Sequence, residues 1–504
     1  MAAHNVNRRA ALATLGSLAA AASWPRLGQA AQPAQAWHSS YAPYDGPVKP
    51  PLASGPLPIQ GRWPRELRGT LYRVGPARRE LGGVSMTHWF DGDGMVQAFR
   101  FDQGQVRHEG VMLSTRKLKT EEAAGRLLYS GFAQSVSGSP TLSGPDDVNS
   151  ANINLLSLAR SKELFALWEG GSALAIDPST LQAKGFKVWS PQTQGAPFSA
   201  HPRVAPDGSV WSFGYVPGSG RLLIYEISAE GQLRRQHALA AEQADMVHDF
   251  AITERHLVFL LMPMKFEGRL AQGNLLAGYR WQSAAPLIAL LVNKSDFSLQ
   301  RFELPATGVF HLANAWEQGG SVQIRFVAQR NILSAMQRMR VPQSVDFEPR
   351  VTADYTPDTQ WAHITLTPAT GRAELQLQGP DAVEFPRVHP ARNGLPTKFT
   401  TLIARSRQMR PQVSGFDTVM TLDGDKPSRY RYGDGWIAEE HVYVPAPNHS
   451  REGQGWLLGS AYHWPSERTT LSVFDAAAVQ AGPIAQATLP YGLPLGLHGQ
   501  FVAA

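Results

Sequence analysis

Ser209-Val-Trp-Ser-Phe-Gly-Tyr215 leads through Val216 into Pro217-Gly-Ser-Gly220, and Arg221-Leu-Leu-Ile-Tyr-Glu-Ile227 follows, closed by Ser228 and Ala229-Glu-Gly231. Each apolar run has strand length and is rich in β-branched or aromatic residues, and the Pro/Gly segment between them is turn punctuation. The stretch is therefore read as a β-hairpin with a further turn leading out of it. The same rhythm continues outward. Pro206-Asp-Gly208 opens this hairpin; beyond it His256-Leu-Val-Phe-Leu-Leu-Met262, Leu287-Ile-Ala-Leu-Leu-Val292, Ser321-Val-Gln-Ile-Arg-Phe-Val327, His363-Ile-Thr-Leu-Thr367, Ala373-Glu-Leu-Gln-Leu377, Trp456-Leu-Leu-Gly-Ser460 and Thr470-Leu-Ser-Val-Phe474 read as strands, with a turn at Pro368-Ala-Thr-Gly371. From about Arg68 onward there is little sustained helical periodicity, which points to an all-β fold, either a β-propeller or a large sandwich. Strand groups recurring at blade-like intervals, without an exact repeat, favour the propeller. Helical or irregular insertions are expected at 120–129 and 329–340.

The chain has 504 residues, length enough for about three ordinary domains. All-β folds often run longer as single domains, and residues 31–504 are read as one. With 46 Gly, 37 Pro, 13 Trp and 17% charged residues the composition is globular and turn-rich, which excludes disorder and a coiled coil. There is no cysteine, so disulfides, thiolate metal sites, cysteine nucleophiles and iron–sulfur clusters are excluded and histidine and carboxylates remain as the strong metal ligands. Arg8, Arg9 and Arg26 account for three units of the formal net charge of +6. The remainder is too small and too dispersed to argue for nucleic acid.

Residues 1–30 read as an export signal. Asn7-Arg8-Arg9-Ala-Ala-Leu12 precedes an Ala-rich stretch from Ala13 to Ala22, and Gly28-Gln-Ala30 resembles a small-residue cleavage site. The paired arginines resemble a twin-arginine signal, although the usual aromatic residue after the pair is missing. The expectation is export of a folded protein, often with its metal already inserted, to the periplasm by the machinery for folded proteins. No other stretch approaches the apolar length needed to span a bilayer. Leu127, Leu128, Phe132, Leu275, Leu276, Leu333, Met336 and Met339 make the insertions and the segment near Leu275 greasy. They read either as a satellite core under a loop or, functionally, as a hydrophobic tunnel mouth or a patch that makes a peripheral membrane contact.

His201, His248, His311 and His498, four of fifteen histidines, each sit alone in a short apolar segment close to a turn. A buried imidazole needs a hydrogen-bond partner or a metal. A single histidine of this kind is usually a satisfied core residue, so both readings stay open. Separation in sequence is no obstacle to a shared site, because innermost strands of different propeller blades converge on one axis. The chain has no His-Glu-x-x-His, no His-x-His, and no histidine followed two residues later by Asp or Glu. Asp91-Gly-Asp-Gly94 lacks the further oxygens of a calcium loop and reads as a tight turn whose glycines adopt unusual backbone angles.

Taken in order, Trp89-Phe-Asp-Gly-Asp-Gly-Met95, Leu167-Trp-Glu-Gly170, Asp177-Pro-Ser-Thr-Leu181, Ala200-His-Pro202, Met246-Val-His-Asp-Phe-Ala251, Phe310-His-Leu-Ala-Asn-Ala315, Glu384-Phe-Pro386, Glu440-His-Val-Tyr-Val-Pro445 and Gly496-Leu-His-Gly499 resemble the carotenoid cleavage oxygenase family over nearly the whole mature chain. The resemblance implies a seven-bladed β-propeller with a helical and loop dome over an axial Fe(II) held by His201, His248, His311 and His498. It further implies that Glu169, Glu384 and Glu440 orient His248, His311 and His498 respectively. His88, His389, His441 and His463 do not match ligand positions and are expected to be structural or tunnel-lining.

A metal-bound histidine does need an acceptor on its other N–H. Without the resemblance, however, those glutamates would read as strand-edge ion pairs. Glu452 is expected to be exposed.

The implied reaction is oxidative scission of a C=C double bond of a carotenoid or apocarotenoid by O₂, giving two carbonyl products from an apolar substrate held in a dry tunnel. Stilbene-cleaving members of the family resemble Leu-Lys-Glu where this chain has Leu167-Trp168-Glu169. Trp168 cannot engage a phenol as a lysine does and is expected to contact an apolar substrate instead. The alternatives are a stilbene or phenylpropanoid dioxygenase on the same scaffold and a non-catalytic periplasmic propeller that binds an apolar ligand.

Overall fold

The computed structural model describes residues 51–78, 80–271, 273–339, 358–409, 415–447 and 451–504. The export-signal reading of residues 1–30 lies outside them. Seven antiparallel sheets of four or five strands follow one another around a ring, each ordered from its innermost strand outward. The first blade starts at the axis with His498–Ala503 and continues through Gly69–Arg78, Asp93–Asp102, Gln105–Met112 and Leu52–Ala53. Blades two to six are continuous in sequence, with inner strands Asn154–Leu158, Arg203–Val204, Phe250–Ile252, Gly308–Gln318 and Ala382–Val388. The seventh begins with Trp436–Pro445 and is completed on its outside by Ile59–Gly61 from near the start of the described chain. This is the expected all-β, seven-bladed propeller.

The hairpin that opened the sequence reading is the middle of blade three. Val210–Tyr215 pairs with Arg221–Ile227, which pairs with Leu233–Ala240. Alternation along each strand sends apolar side chains to both faces, because a blade is covered on both sides by its neighbours. The core is accordingly divided into layers between blades. Leu222, Ile224, Phe250 and Leu257 fill the space between blades three and four, and Leu71, Phe99, Leu458 and Leu471 that between seven and one.

Among the described residues two α-helices lie outside the sheets. The first spans Arg116–Ala124 rather than 120–129: the Thr115 hydroxyl accepts from the N–H of Leu118 to start it, and Gly125, left-handed at φ 63°, ends it. Leu127 and Leu128 belong to the loop that follows. The second spans Ile332–Arg338, capped by the Asn331 side chain, and Gln329 is the last residue of the preceding strand. Among the described residues no helix is long and apolar enough to cross a membrane.

The Asp91-Gly-Asp-Gly94 reading needs correction. A 3-10 turn does form at Trp89–Asp91, but neither glycine has positive φ. Gly94 is required by crowding, since a Cβ there would stand 2.6 Å from the carbonyl oxygens of Ser150 and Ala151. The two carboxylates are buried. Asp91 accepts from the N–H groups of Phe132 and Ala133, and Asp93 pairs with Arg78 at 2.6 Å and Lys117 at 3.0 Å. They pin the loop at 131–133 and the first helix onto the propeller.

Candidate metal centre

The four histidines meet. One ring nitrogen from each of His201, His248, His311 and His498 lies within 4.8 Å of all the others, and all four residues are at most 8% exposed. His201 and His248 stand just before the inner strands of blades three and four, His311 is inside that of blade five, and His498 begins that of blade one. Local irregularity helps to aim the site. The ladders slip between Val309 and Leu312, between Glu384 and Arg387, and between Ala438 and His441, so β-bulges sit at His311, directly after Glu384, and at Glu440. A bulge bends its strand and redirects a side chain that strict alternation would send between the blades.

Each proposed carboxylate stands behind its histidine. His248 Nδ1 donates to Glu169, His311 Nδ1 to Glu384 at 2.6 Å, and His498 Nδ1 to Glu440 at 2.9 Å. With Nδ1 committed, the Nε2 lone pairs of these rings are the atoms left to face one another. His201 Nε2 is 3.0 Å from His248 Nε2, and His311 Nε2 is buried with no protein partner. Three such acceptors converging in a buried space, with the His201 ring beside them, fit a divalent cation of the type that imidazole binds.

Electrostatics favour a neutral ring at His201 and His498. Burial, reinforced by the other three histidines, holds His201 well below the usual imidazole range. Burial also takes His498 down to about 3 despite Glu440. For His248 burial acts downward too, but the neighbouring Glu169 carboxylate outweighs it and the net shift is upward. Burial would raise Glu440, yet Arg387 and His498 hold it below the ordinary carboxylate range. Arg387 grips both oxygens of Glu440, at 2.8 and 3.0 Å, and donates to the carbonyl of Gly499, joining blades six, seven and one.

Beside the histidines is a cavity of about 1140 Å³. His248, His311 and His498 form part of its wall, together with Phe90, Phe132, Trp168, Phe310, Phe385 and Phe416. The Phe385 ring centroid is 5.2 Å from those of His311 and His498, on a residue held at φ 53°. A bulky side chain in that region is a strained arrangement maintained by its surroundings. Trp168 lines the cavity. Its ring folds back so closely that a Cβ on Gly170 would approach it to 2.8 Å.

The greasy insertions divide between core and cavity wall. Leu276 and Met336 are core, whereas Leu275 is 41% exposed and, with Phe132 and Met339, lines the cavity. His88, His389, His441 and His463 are not in its wall. His88 instead contacts the Met336 carbonyl at 2.9 Å, and His441 that of Glu439 at 2.7 Å. Glu452 is half-buried rather than exposed, accepting from the Thr397 hydroxyl and the Lys398 N–H.

The sequence matches the family model described as retinal pigment epithelial membrane protein over residues 47–503. The chain belongs to this family, the carotenoid cleavage oxygenases. It is 29% identical over 458 residues to the apocarotenoid-15,15'-oxygenase of Synechocystis, covering 88% of this chain and 92% of that one. Identity to the lignostilbene-alpha,beta-dioxygenase isozyme III of Sphingomonas paucimobilis is 27% over 472 residues, covering 89% and 94%. The crystal structure of the cobalt-substituted Synechocystis apocarotenoid oxygenase is similar at a TM-score of 0.79 and 27% identity, covering 93% of this chain and 99% of that one. This oxygenase has further residues that sequence reading missed: Arg387, Phe385 and Gly170, and the Arg203–Asp249 pair treated below. Gly170 was the most accessible of them, since it adjoins the Trp168-Glu169 motif.

Proposed function

We propose that the protein is an Fe(II)-dependent dioxygenase that cleaves a C=C double bond of a carotenoid or apocarotenoid with O₂ to give two carbonyl compounds. The observation that carries this reading is the four-histidine cluster, three members of it backed by carboxylates, set in the wall of a large aromatic cavity. His201, His248, His311 and His498 would hold the iron through neutral imidazoles. Iron(II) bound there would supply the redox chemistry that activates O₂.

The remaining work falls to the protein. Glu169, Glu384 and Glu440 keep each proton on Nδ1 and so keep Nε2 free for the metal. Phe310, Phe385 and Trp168 offer faces against which a conjugated chain can lie, and the position of that chain selects the double bond. The apolar wall keeps water from the reacting carbons. At this site Trp168 provides no cation for a phenolate, which supports an apolar chain over a hydroxystilbene.

The test is anaerobic reconstitution with Fe(II), followed by O₂ and an apocarotenal and a hydroxystilbene offered in parallel. Mass spectrometry should find paired aldehyde products from the apocarotenal. If neither compound is cleaved and iron binds wild type no more tightly than His311→Ala, the reading fails.

Two further proposals concern location. Leu142, 46% exposed, and Leu275 belong to the cavity wall and mark an apolar rim fitted to a peripheral membrane contact. Leu142→Ser/Leu275→Ser should lose liposome binding; unchanged cosedimentation rejects it. Residues 1–30 are proposed to direct export of the folded protein to the periplasm, so an Arg8→Lys/Arg9→Lys variant should remain in the cytoplasm, and undiminished export would reject the assignment.

A further inference from the structure

His201 differs from the other three histidines in having, among the described residues, no carboxylate behind it. The strand that anchors it is also short. Arg203–Val204 pairs with only two residues of the next strand, so few ladder hydrogen bonds hold the segment at the axis. The Arg203 side chain supplies what the ladder lacks. Its Nε donates to the Phe250 carbonyl at 2.6 Å. Its Nη2 reaches the two oxygens of Asp249 at 2.7 and 2.6 Å and the carbonyl of Leu312 at 2.8 Å. Asp249 in turn accepts the N–H of Leu312 at 2.8 Å and that of Phe250 at 2.7 Å.

The partners are what give the arrangement meaning. Asp249 follows His248, Leu312 follows His311, and Arg203 lies two residues beyond His201. One guanidinium, with a carboxylate 4% exposed, therefore fixes the backbones that carry three of the four histidines, each from a different blade. A planar guanidinium presents several donors in a fixed fork, whereas a lysine ammonium is a single point charge on a flexible stem.

We propose that Arg203 and Asp249 are positioning residues for the metal site, fixing the His201 segment in place of the carboxylate that this histidine lacks. The proposal rests on the metal reading given above. Loss of an ion pair that served only general stability would lower the melting temperature of the metal-free protein and leave the metal affinity of the folded protein alone. A positioning pair changes the affinity and the ligand geometry. Outer partners of metal ligands are typically worth about 10- to 100-fold in affinity.

The test adds Co(II) to the metal-free full chain in wild type, Arg203→Lys, and the double variant Arg203→Met/Asp249→Asn. Neutralising both partners avoids leaving a buried, unpaired charge. Chelator competition gives the affinity, the visible absorption of bound Co(II) gives the coordination geometry, and melting of the metal-free protein gives the stability. The expected result is binding roughly 10- to 100-fold weaker in the double variant, a smaller loss in Arg203→Lys, and an altered Co(II) spectrum in both. Affinities within about two-fold of wild type with an unchanged spectrum overturn the proposal, whatever happens to the melting temperature. If the double variant does not fold, Arg203→Lys decides by the same criteria. Failure of the metal reading is distinguishable, because wild type and His311→Ala would then bind Co(II) equally.

Discussion

Replacing Glu384 by glutamine isolates the contribution of one carboxylate charge. Glu384 Oε2 accepts from His311 Nδ1 at 2.6 Å and from the Phe385 N–H at 2.7 Å, while Oε1 is buried without a partner. A glutamine has the same shape. Its amide oxygen can take the place of Oε2 and keep both donors, and its NH₂ then occupies the unpartnered position. What disappears is the charge. A hydrogen bond to an ionised acceptor contributes about 1.5–3 kcal/mol against about 1 for a neutral pair, so the loss is about 0.5–2 kcal/mol. That corresponds to roughly 2- to 30-fold weaker metal binding, since 1.4 kcal/mol is a factor of ten.

The buried NH₂ adds a separate stability cost of about 1–3 kcal/mol, visible in the metal-free protein. Anaerobic Fe(II) titration against a competing chelator measures the first effect, and denaturant melts without metal measure the second. The exposed Glu242→Gln is the control, because Glu452 is itself half-buried and hydrogen-bonded. Glu169, with 22% of its side chain exposed against 7% for Glu384, is accessible to water that can replace part of its role. Glu169→Gln should therefore cost less. If Glu384→Gln binds iron as tightly as Glu242→Gln, the coupling between charge and ligand basicity is refuted.

Chelation of the metal should lower thermal stability, because an ion that binds only the folded state at 100 times its Kd contributes about 2.7 kcal/mol; an unchanged melting curve contradicts a folded-state site. Gly170→Val should drive the Trp168 ring from its place, leaving metal affinity near wild type while changing the ratio of cleavage products; an unchanged product ratio shows that this ring does not position the substrate. Trp168→Lys alone should not confer efficient hydroxystilbene cleavage, because the phenol also needs a pocket shaped to it, and high stilbene turnover in that variant refutes this. His108 reports on acid stability. Burial and then Arg73 hold it down to about 3, against about 6.5 in an unfolded chain. The unfolded state therefore gains a proton first as pH falls through 6.5. Stability should be full above that pH, about 2 kcal/mol lower by pH 5, and should go on falling toward pH 3. A His108→Phe variant should show a flatter profile over this window, measured by urea unfolding, and a slope identical to wild type would count against it.

Much of this was legible because it is written in single residues. The strand at Arg221–Ile227 begins and ends where its composition and flanking turns placed it, and the four histidines were separable from the other eleven by motif. What escaped notice depends on two chains of residues at once. A β-bulge directly after Glu384 or at Glu440 is a mismatch in count between neighbouring strands, and neither strand carries it alone. The Arg203–Asp249 contact joins residues 46 apart, and nothing in either local sequence distinguishes it from a surface pair. The same applies to Gly94, whose necessity comes from carbonyl oxygens more than fifty positions away. Helix ends were misplaced although Thr115 and Gly125 marked the first one, because a short helix between strands leaves little periodicity to align with its caps.

The strand His498–Ala503 has a consequence for how long the molecule lasts. It is the innermost strand of the first blade, paired with Gly69–Arg78, and its first residue is one of the four histidines. Opening the ring along this seam means withdrawing the strand from the axis, and that same motion withdraws His498 from the cluster. An ion held by the four histidines would couple ring opening to its own release, and would add directly to the unfolding barrier that sets the lifetime of the closed ring. Loss of such an ion would then shorten the life of the protein as well as silence it.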